Sequence, residues 1–176
     1  VPPHAVYWPI LLHALKLPLP KSLLVHGWWS VNGVKMSKST GNFIVPSDYT
    51  REFGVDALRY FLIREMNVGQ DSDFTRAQFL VRYNSELANN LGNLVSRVTS
   101  MAHRYRDGTV APGAAGNDQL ARLGEQVVAD YRGAMDRYAL NEGAAASYRV
   151  IGDTNEVIAA RPPETLARGL GADDRQ

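Results

Sequence analysis

Between Thr75 and Arg106 the chain has little freedom, because Phe79, Tyr83, Leu87, Leu91, Leu94, Val98 and Met101 return at steps of three and four. Only an α-helix lines up residues so spaced on one face, and Thr75-Arg76-Ala77-Gln78 offers a capping box to start it. A stripe of that length must lie against a core. The rest of the helix surface is basic, with Arg76, Arg82, Arg97, Arg104 and Arg106 set against the single acid Glu86. Residues 107–117 are rich in Gly, Ala and Pro and predict a linker. Beyond it, 118–138 and 141–160 predict two more amphipathic helices, closed by Arg161-Pro162-Pro163. Three helices with short connections predict an antiparallel bundle.

The residues before Thr75 pattern differently. Residues 4–15 are apolar enough for a buried helix, with Pro9 at a kink or in a late first turn, and Leu17-Pro18-Leu19-Pro20 stops it. Residues 22–26 form a short unbroken apolar run that predicts a strand buried on both faces, as in a parallel sheet. Trp28 to Val34 then predicts a short strand or hairpin, which would deliver the following loop at the carboxyl edge of that sheet, where ligands bind in open α/β folds. Residues 48–53 and 56–66 read as two helices separated by Gly54, and 69–73 as a turn. The chain thus divides into an α/β unit over residues 1–73 and a helical unit over 74–176.

Charge and composition exclude some functions. The chain carries 19 basic and 18 acidic side chains, so no global field attracts nucleic acid and any RNA contact must come from a local patch. It has no cysteine, which rules out disulfides and thiolate zinc sites in this stretch and fits a reducing, cytoplasmic setting. The longest apolar run, 10–15, is far too short to cross a bilayer, and no signal peptide is visible. A start at Val1-Pro2-Pro3 and a polar end read as cuts from a longer chain.

Residues 32–42, Asn-Gly-Val-Lys-Met-Ser-Lys-Ser-Thr-Gly-Asn, form a polar loop between apolar segments. Asn32-Gly33 and Gly41-Asn42 are turn signals, since these residue types tolerate positive φ. Lys35 and Lys38 put two mobile ammonium groups beside hydroxyl and N–H donors. Such a set suits a triphosphate and the charge that develops as it is cleaved.

Lys35-Met36-Ser37-Lys38-Ser39 spells the KMSKS motif of class I aminoacyl-tRNA synthetases. With His4-Ala5-Val6-Tyr7-Trp8-Pro9, Leu24-Val25-His26-Gly27 and 54–62, the stretch from His4 to about Arg106 resembles the methionyl-tRNA synthetases. The resemblance implies a remnant of a Rossmann-type catalytic domain followed by an all-α anticodon-binding helical bundle. It implies ATP, accompanied by Mg2+, as substrate for activating methionine, with transfer to tRNA(Met). Lys35 and Lys38 would stabilise the leaving phosphates; His26, Trp29, Met36, Ser37 and Ser39 would border ATP, and His4 and Trp8 would line the methionine pocket. Asn93 and Arg97, four apart on the basic helix, would read the anticodon.

Two departures stand out: Pro3 occupies a position that is aromatic in some members, and Glu164 stands where the family commonly has a stacking tryptophan. The family's upstream zinc knuckle and its HIGH-type histidines lie outside this stretch, so these residues alone are not expected to catalyse efficiently. A related synthetase for Leu, Ile, Val or Cys would share the loop, but His4 with Trp8 and Asn93 with Arg97 argue against it. The other alternative is a stand-alone tRNA-binding helical module without catalysis.

Overall fold

The computed structural model describes residues 1–39, 41–109 and 118–160. A wide turn with i→i+5 hydrogen bonds, Pro3–Tyr7, runs into helix α1 (Trp8–Ala14), with Pro9 in the first turn of α1. The helix forms where the sequence predicts it, but it is not buried: Leu12 alone is covered, and Val6, Trp8, Ile10 and Leu11 are exposed. The strand expected at 22–26 is absent, and Leu23, Leu24 and Val25 face solvent. A strand buried on both faces needs a hydrogen-bonding neighbour at each edge, and no described segment pairs with this one.

The sheet lies further along. It has three short strands in the order β2-β1-β3: β1 (Trp29–Val31), β2 (Val34–Lys35) and β3 (Ser72–Asp73). β1 and β2 form an antiparallel hairpin through Asn32 and Gly33, whose φ values of 52° and 75° suit a type I′ turn. β3, expected as part of a turn, pairs parallel to β1, with Trp29 opposite Ser72 and Ser30 opposite Asp73. The lysine loop therefore leaves an antiparallel edge strand rather than a parallel one. At Gly27 the backbone passes so close to Gln70 that a Cβ would lie 1.9 Å from its carbonyl oxygen, so this position needs glycine.

Helices α2 (Pro46–Phe53) and α3 (Val55–Glu65) follow, with Pro in the first turn of α2 and Gly54 at the break. The long helix predicted from Thr75 is continuous in three registers: α4 (Arg76–Arg82), a wider i→i+5 stretch (Tyr83–Gly92) and α5 (Asn93–Arg106). Thr75 Oγ1 accepts the Gln78 amide at 3.1 Å, as a cap should. Helices α6 (Asp118–Asp136) and α7 (Leu140–Ala160) form a hairpin, and α7 packs against α3 and the wide-turn stretch.

The core is aromatic and straddles residues 73 and 74. Tyr49, Ala57, Leu58, Phe61, Phe74 and Phe79 are buried together, with Trp29, Phe53, Tyr83 and Leu87 packed around them. Edge-on pairs occur among tilted and stacked ones, such as Tyr49 with Phe74 and with Phe79, each at 5.0 Å between centroids. The apolar stripe is buried only in its first half: Phe79 is 1% exposed, whereas α5 buries no residue and Val98 is open to solvent.

Candidate functional site: a lysine loop and a polar groove

Alternation along β1 sends the Trp29 ring into the core, where it lies 6.4 Å from Phe61 and 6.2 Å from Phe74. That anchors the hairpin. Asp73 holds its tip, accepting the Ser30 hydroxyl at 2.6 Å and the Gly33 amide at 2.9 Å on one carboxylate oxygen. Beyond β2, Asn42 clasps the base of the loop: its Oδ1 accepts the Ser37 amide at 2.9 Å, and its Nδ2 donates to the carbonyls of Lys35 and Val34. Ser37 and Ser39 hydroxyls meet at 2.7 Å. Between these fixed points Lys35 and Lys38 are exposed, with the Lys35 ammonium 3.7 Å above the Trp28 ring.

Gly41, at φ 70°, ends the loop as its turn chemistry predicts, and Thr40 lies outside the described residues. His26 is exposed just upstream and donates from Nδ1 to the Gly27 carbonyl at 2.8 Å. Met36 is half-buried, and its amide donates to the Trp29 carbonyl at 3.2 Å. With its ring in the core, Trp29 offers a ligand its backbone edge. His4 and Trp8 are both exposed, one in the wide first turn and the other at the start of α1, and no described residue encloses them.

The second constellation is on the helical unit. Asn93 and Arg97 line an open groove of about 380 Å³ together with Ser85, Asn89, Asn90 and Asn155. Asn155 reaches across from α7, donating to the Asn90 carbonyl at 3.2 Å and to its side-chain oxygen at 3.0 Å, while its own Oδ1 is buried without a partner. Such an acceptor has lost its hydration and gains from any donor that enters. The sequence reading missed Asn89, Asn90 and Asn155. Four asparagines at 84, 89, 90 and 93 in one predicted helix were a signal, since asparagine is a weak helix former and is costly there without another use.

The basic face is narrower than its composition suggests. Arg76 pairs with Glu52 at 2.6 Å, which holds its pKa above the ordinary arginine value. Arg82 lies between Glu65 and Glu86, its Nε 2.7 Å from Glu65 and its Nη1 2.7 Å from Glu86. Among the described residues, Arg97, Arg104 and Arg106 make no ion pair, so positive charge is available at the groove and beyond it. Glu86 also accepts a short hydrogen bond from Tyr60, whose hydroxyl is pushed well above the usual tyrosine range by burial and then by this carboxylate. The Tyr60 ring lies against Tyr148 of α7, tilted by 37° with centroids 4.8 Å apart, so this network joins α3, the long helix and α7. Glu164 and Arg161-Pro162-Pro163 lie outside the described residues.

Among the described residues no three carboxylate or imidazole side chains converge as metal ligands, and the loop offers cations and hydroxyls. Residues of this kind do not fit a protein-held Mg2+.

The family model for class I (M) tRNA synthetases matches residues 1–99. The chain is 39% identical over 168 residues to the methionine–tRNA ligase of Lactococcus lactis, covering 94% of this chain and 25% of that protein. It is 41% identical to the methionine–tRNA ligase of Streptococcus pyogenes serotype M6, covering 96% of this chain and 26% of the relative. The solved methionyl-tRNA synthetase of Mycobacterium tuberculosis in complex with methionyl-adenylate superposes with a TM-score of 0.84 at 36% identity, covering 93% of this chain and 33% of that one. The chain thus spans about a quarter of the length of these curated relatives.

Proposed function

The chain belongs to the class I (M) tRNA synthetases, and from that premise we propose that it supplies the phosphate loop and the anticodon groove of a methionine–tRNA ligase. In this reading residues 1–73 are the distal part of a Rossmann-type catalytic domain with its connector helices, and 74–176 are an incomplete α-helical anticodon-binding domain. The whole enzyme joins methionine to ATP and then passes the methionyl group to the terminal adenosine of tRNA(Met). A methionine carboxylate oxygen attacks the α-phosphorus, the bond from that phosphorus to the bridging oxygen of the β-phosphate breaks, and pyrophosphate leaves. One further negative charge develops on the bridging oxygen as it leaves, and the pyrophosphate needs cationic partners. Lys35 and Lys38 are the cations available for that, and their work is positioning and charge stabilisation.

The observation that carries the reading is the presentation of Lys35-Met36-Ser37-Lys38-Ser39: outside any helix, at the end of a hairpin anchored by Trp29 and Asp73, with both lysine side chains exposed. His26, Ser37, Ser39 and the backbone at Trp29 and Met36 border the nucleotide, and His4 with Trp8 line the methionine pocket. Mg2+ would arrive with the triphosphate. In the groove Arg97 stacks on or bonds to a splayed anticodon base, and Asn93 bonds to a base edge.

The experiment is ATP–pyrophosphate exchange with methionine in a chimera in which this chain replaces the matching quarter of the Lactococcus lactis ligase. Lys38→Ala is expected to lower single-turnover adenylate formation by about 10²–10³-fold and to leave methionine affinity nearly unchanged. An unaltered rate removes the lysine assignment. Filter binding of the native chain to an anticodon stem-loop, against one with an altered anticodon, tests the groove: Arg97→Ala should erase the difference.

A further inference from the structure

Trp28 has no place in the core, yet its backbone is held at both its amide and its carbonyl. Its amide donates to Asp71 Oδ1 at 2.7 Å, and its carbonyl accepts the Ser72 amide at 2.9 Å. With the next ring, Trp29, partly buried against the core, alternation puts the Trp28 ring on the open face, where it is 64% exposed. Ser30 is the cross-strand partner of Lys35, so Trp28, two residues earlier on the same face, is the diagonal neighbour of that lysine. The ammonium lies 3.7 Å from the ring centroid, well within cation–π range.

The two loop lysines therefore differ. Lys35 rests on an aromatic platform, whereas Lys38, three residues beyond the strand end, has no ring partner among the described residues. We propose that Trp28 is a positioning residue: its ring is the resting site of the Lys35 ammonium, and a bound polyphosphate must draw the ammonium off the ring before pairing with it. Trp28 thereby sets how tightly the loop takes the β- and γ-phosphates of a nucleoside triphosphate and holds the lysine beside the site when that site is empty. The proposal rests on the reading of this loop as a triphosphate site. A cation–π contact at an exposed position corresponds to about two- to fivefold in an equilibrium constant, which is the size of effect expected.

The chain has only four lysines, at 16, 21, 35 and 38, so lysine-selective 13C labelling of the unsubstituted chain gives a resolvable set of ε-methylene signals. The Lys35 signal should lie upfield of the other three through the indole ring current, collapse onto them in Trp28→Leu and keep a smaller shift in Trp28→Phe. Adding inorganic tripolyphosphate should move Lys35 downfield in the native protein, and Trp28→Leu should bind it about two- to fivefold more tightly. A Lys35 signal already at the position of the others, or equal affinity in native protein and Trp28→Leu, overturns the proposal. If tripolyphosphate disturbs neither Lys35 nor Lys38 while the upfield shift is present, the triphosphate reading itself has failed, and the gating role falls with it. Because the ring lies outside the core, the melting temperature of Trp28→Leu should match that of the native chain.

Discussion

Glu86 is the acid on which the junction of the two units turns, and replacing it gives a measurable loss. Its carboxylate is 18% exposed, accepts from Tyr60 and from Arg82 at 2.7 Å, and lies 3.6 Å from Arg64, whose Nε is already buried without a partner. Hydrogen bonds to a charged group are worth about 1.5–3 kcal/mol each. Arg82 keeps Glu65 after the substitution, and both arginines retain some access to water, which lowers the total. Glu86→Ala should therefore cost about 2–3 kcal/mol, and Glu86→Gln, which still accepts from Tyr60, about 1 kcal/mol. At this chain length the alanine variant should melt roughly 4–12 °C lower. Urea unfolding monitored by circular dichroism gives the free energy if the slope is unchanged. A cycle with Tyr60→Phe should return a coupling of about 1 kcal/mol. If Glu86→Ala loses less than about 0.5 kcal/mol and adds independently to Tyr60→Phe, the carboxylate is solvated and the junction is held by apolar packing alone.

Burial, helped by Glu86 at Tyr60, raises the hydroxyl pKa of Tyr60, and burial raises that of Tyr148; the folded state therefore holds protons that the unfolded chain releases near pH 10. Their contribution to stability is complete below that pH and lost as pH rises. Spectrophotometric titration should find two of the eight tyrosines resisting ionisation until the protein unfolds, and Tyr60→Phe should remove one of them. Asp73→Ala removes the shared acceptor of Ser30 and Gly33. The Gly33 amide should then exchange with deuterium about tenfold faster, corresponding to roughly 1.4 kcal/mol of local opening, with little change at Phe61 or Phe79. Gly27→Ala forces a methyl against the Gln70 carbonyl and should separate β3 from β1, seen as faster exchange of the Ser72 and Phe74 amides.

Helix ends were the most legible feature. Pro46 in a first turn, Gly54 at a break and Thr75 as a cap act through atoms within a few residues, so the sequence contains the whole interaction. The lysine loop was legible for the same reason, because Asn32-Gly33 and Gly41-Asn42 fix its ends locally. Residues 22–26 misled: apolar character marks a strand only if partners flank it, and those partners are not among the described residues. β3 was invisible because two polar residues carry no periodicity and become a strand only by pairing with β1, some forty positions away.

The residues alone determined the long capped helix, the turn-bounded loop and the charges placed on each, since these follow from backbone sterics and short-range hydrogen bonds. Tertiary packing decided which of those charges stay available. It paired Arg76 with Glu52 and Arg82 with Glu65, it brought Asn155 across sixty-five positions to Asn90, and it laid Lys35 on Trp28. Such choices depend on which surfaces meet after the aromatic core closes. No local window of sequence carries that information.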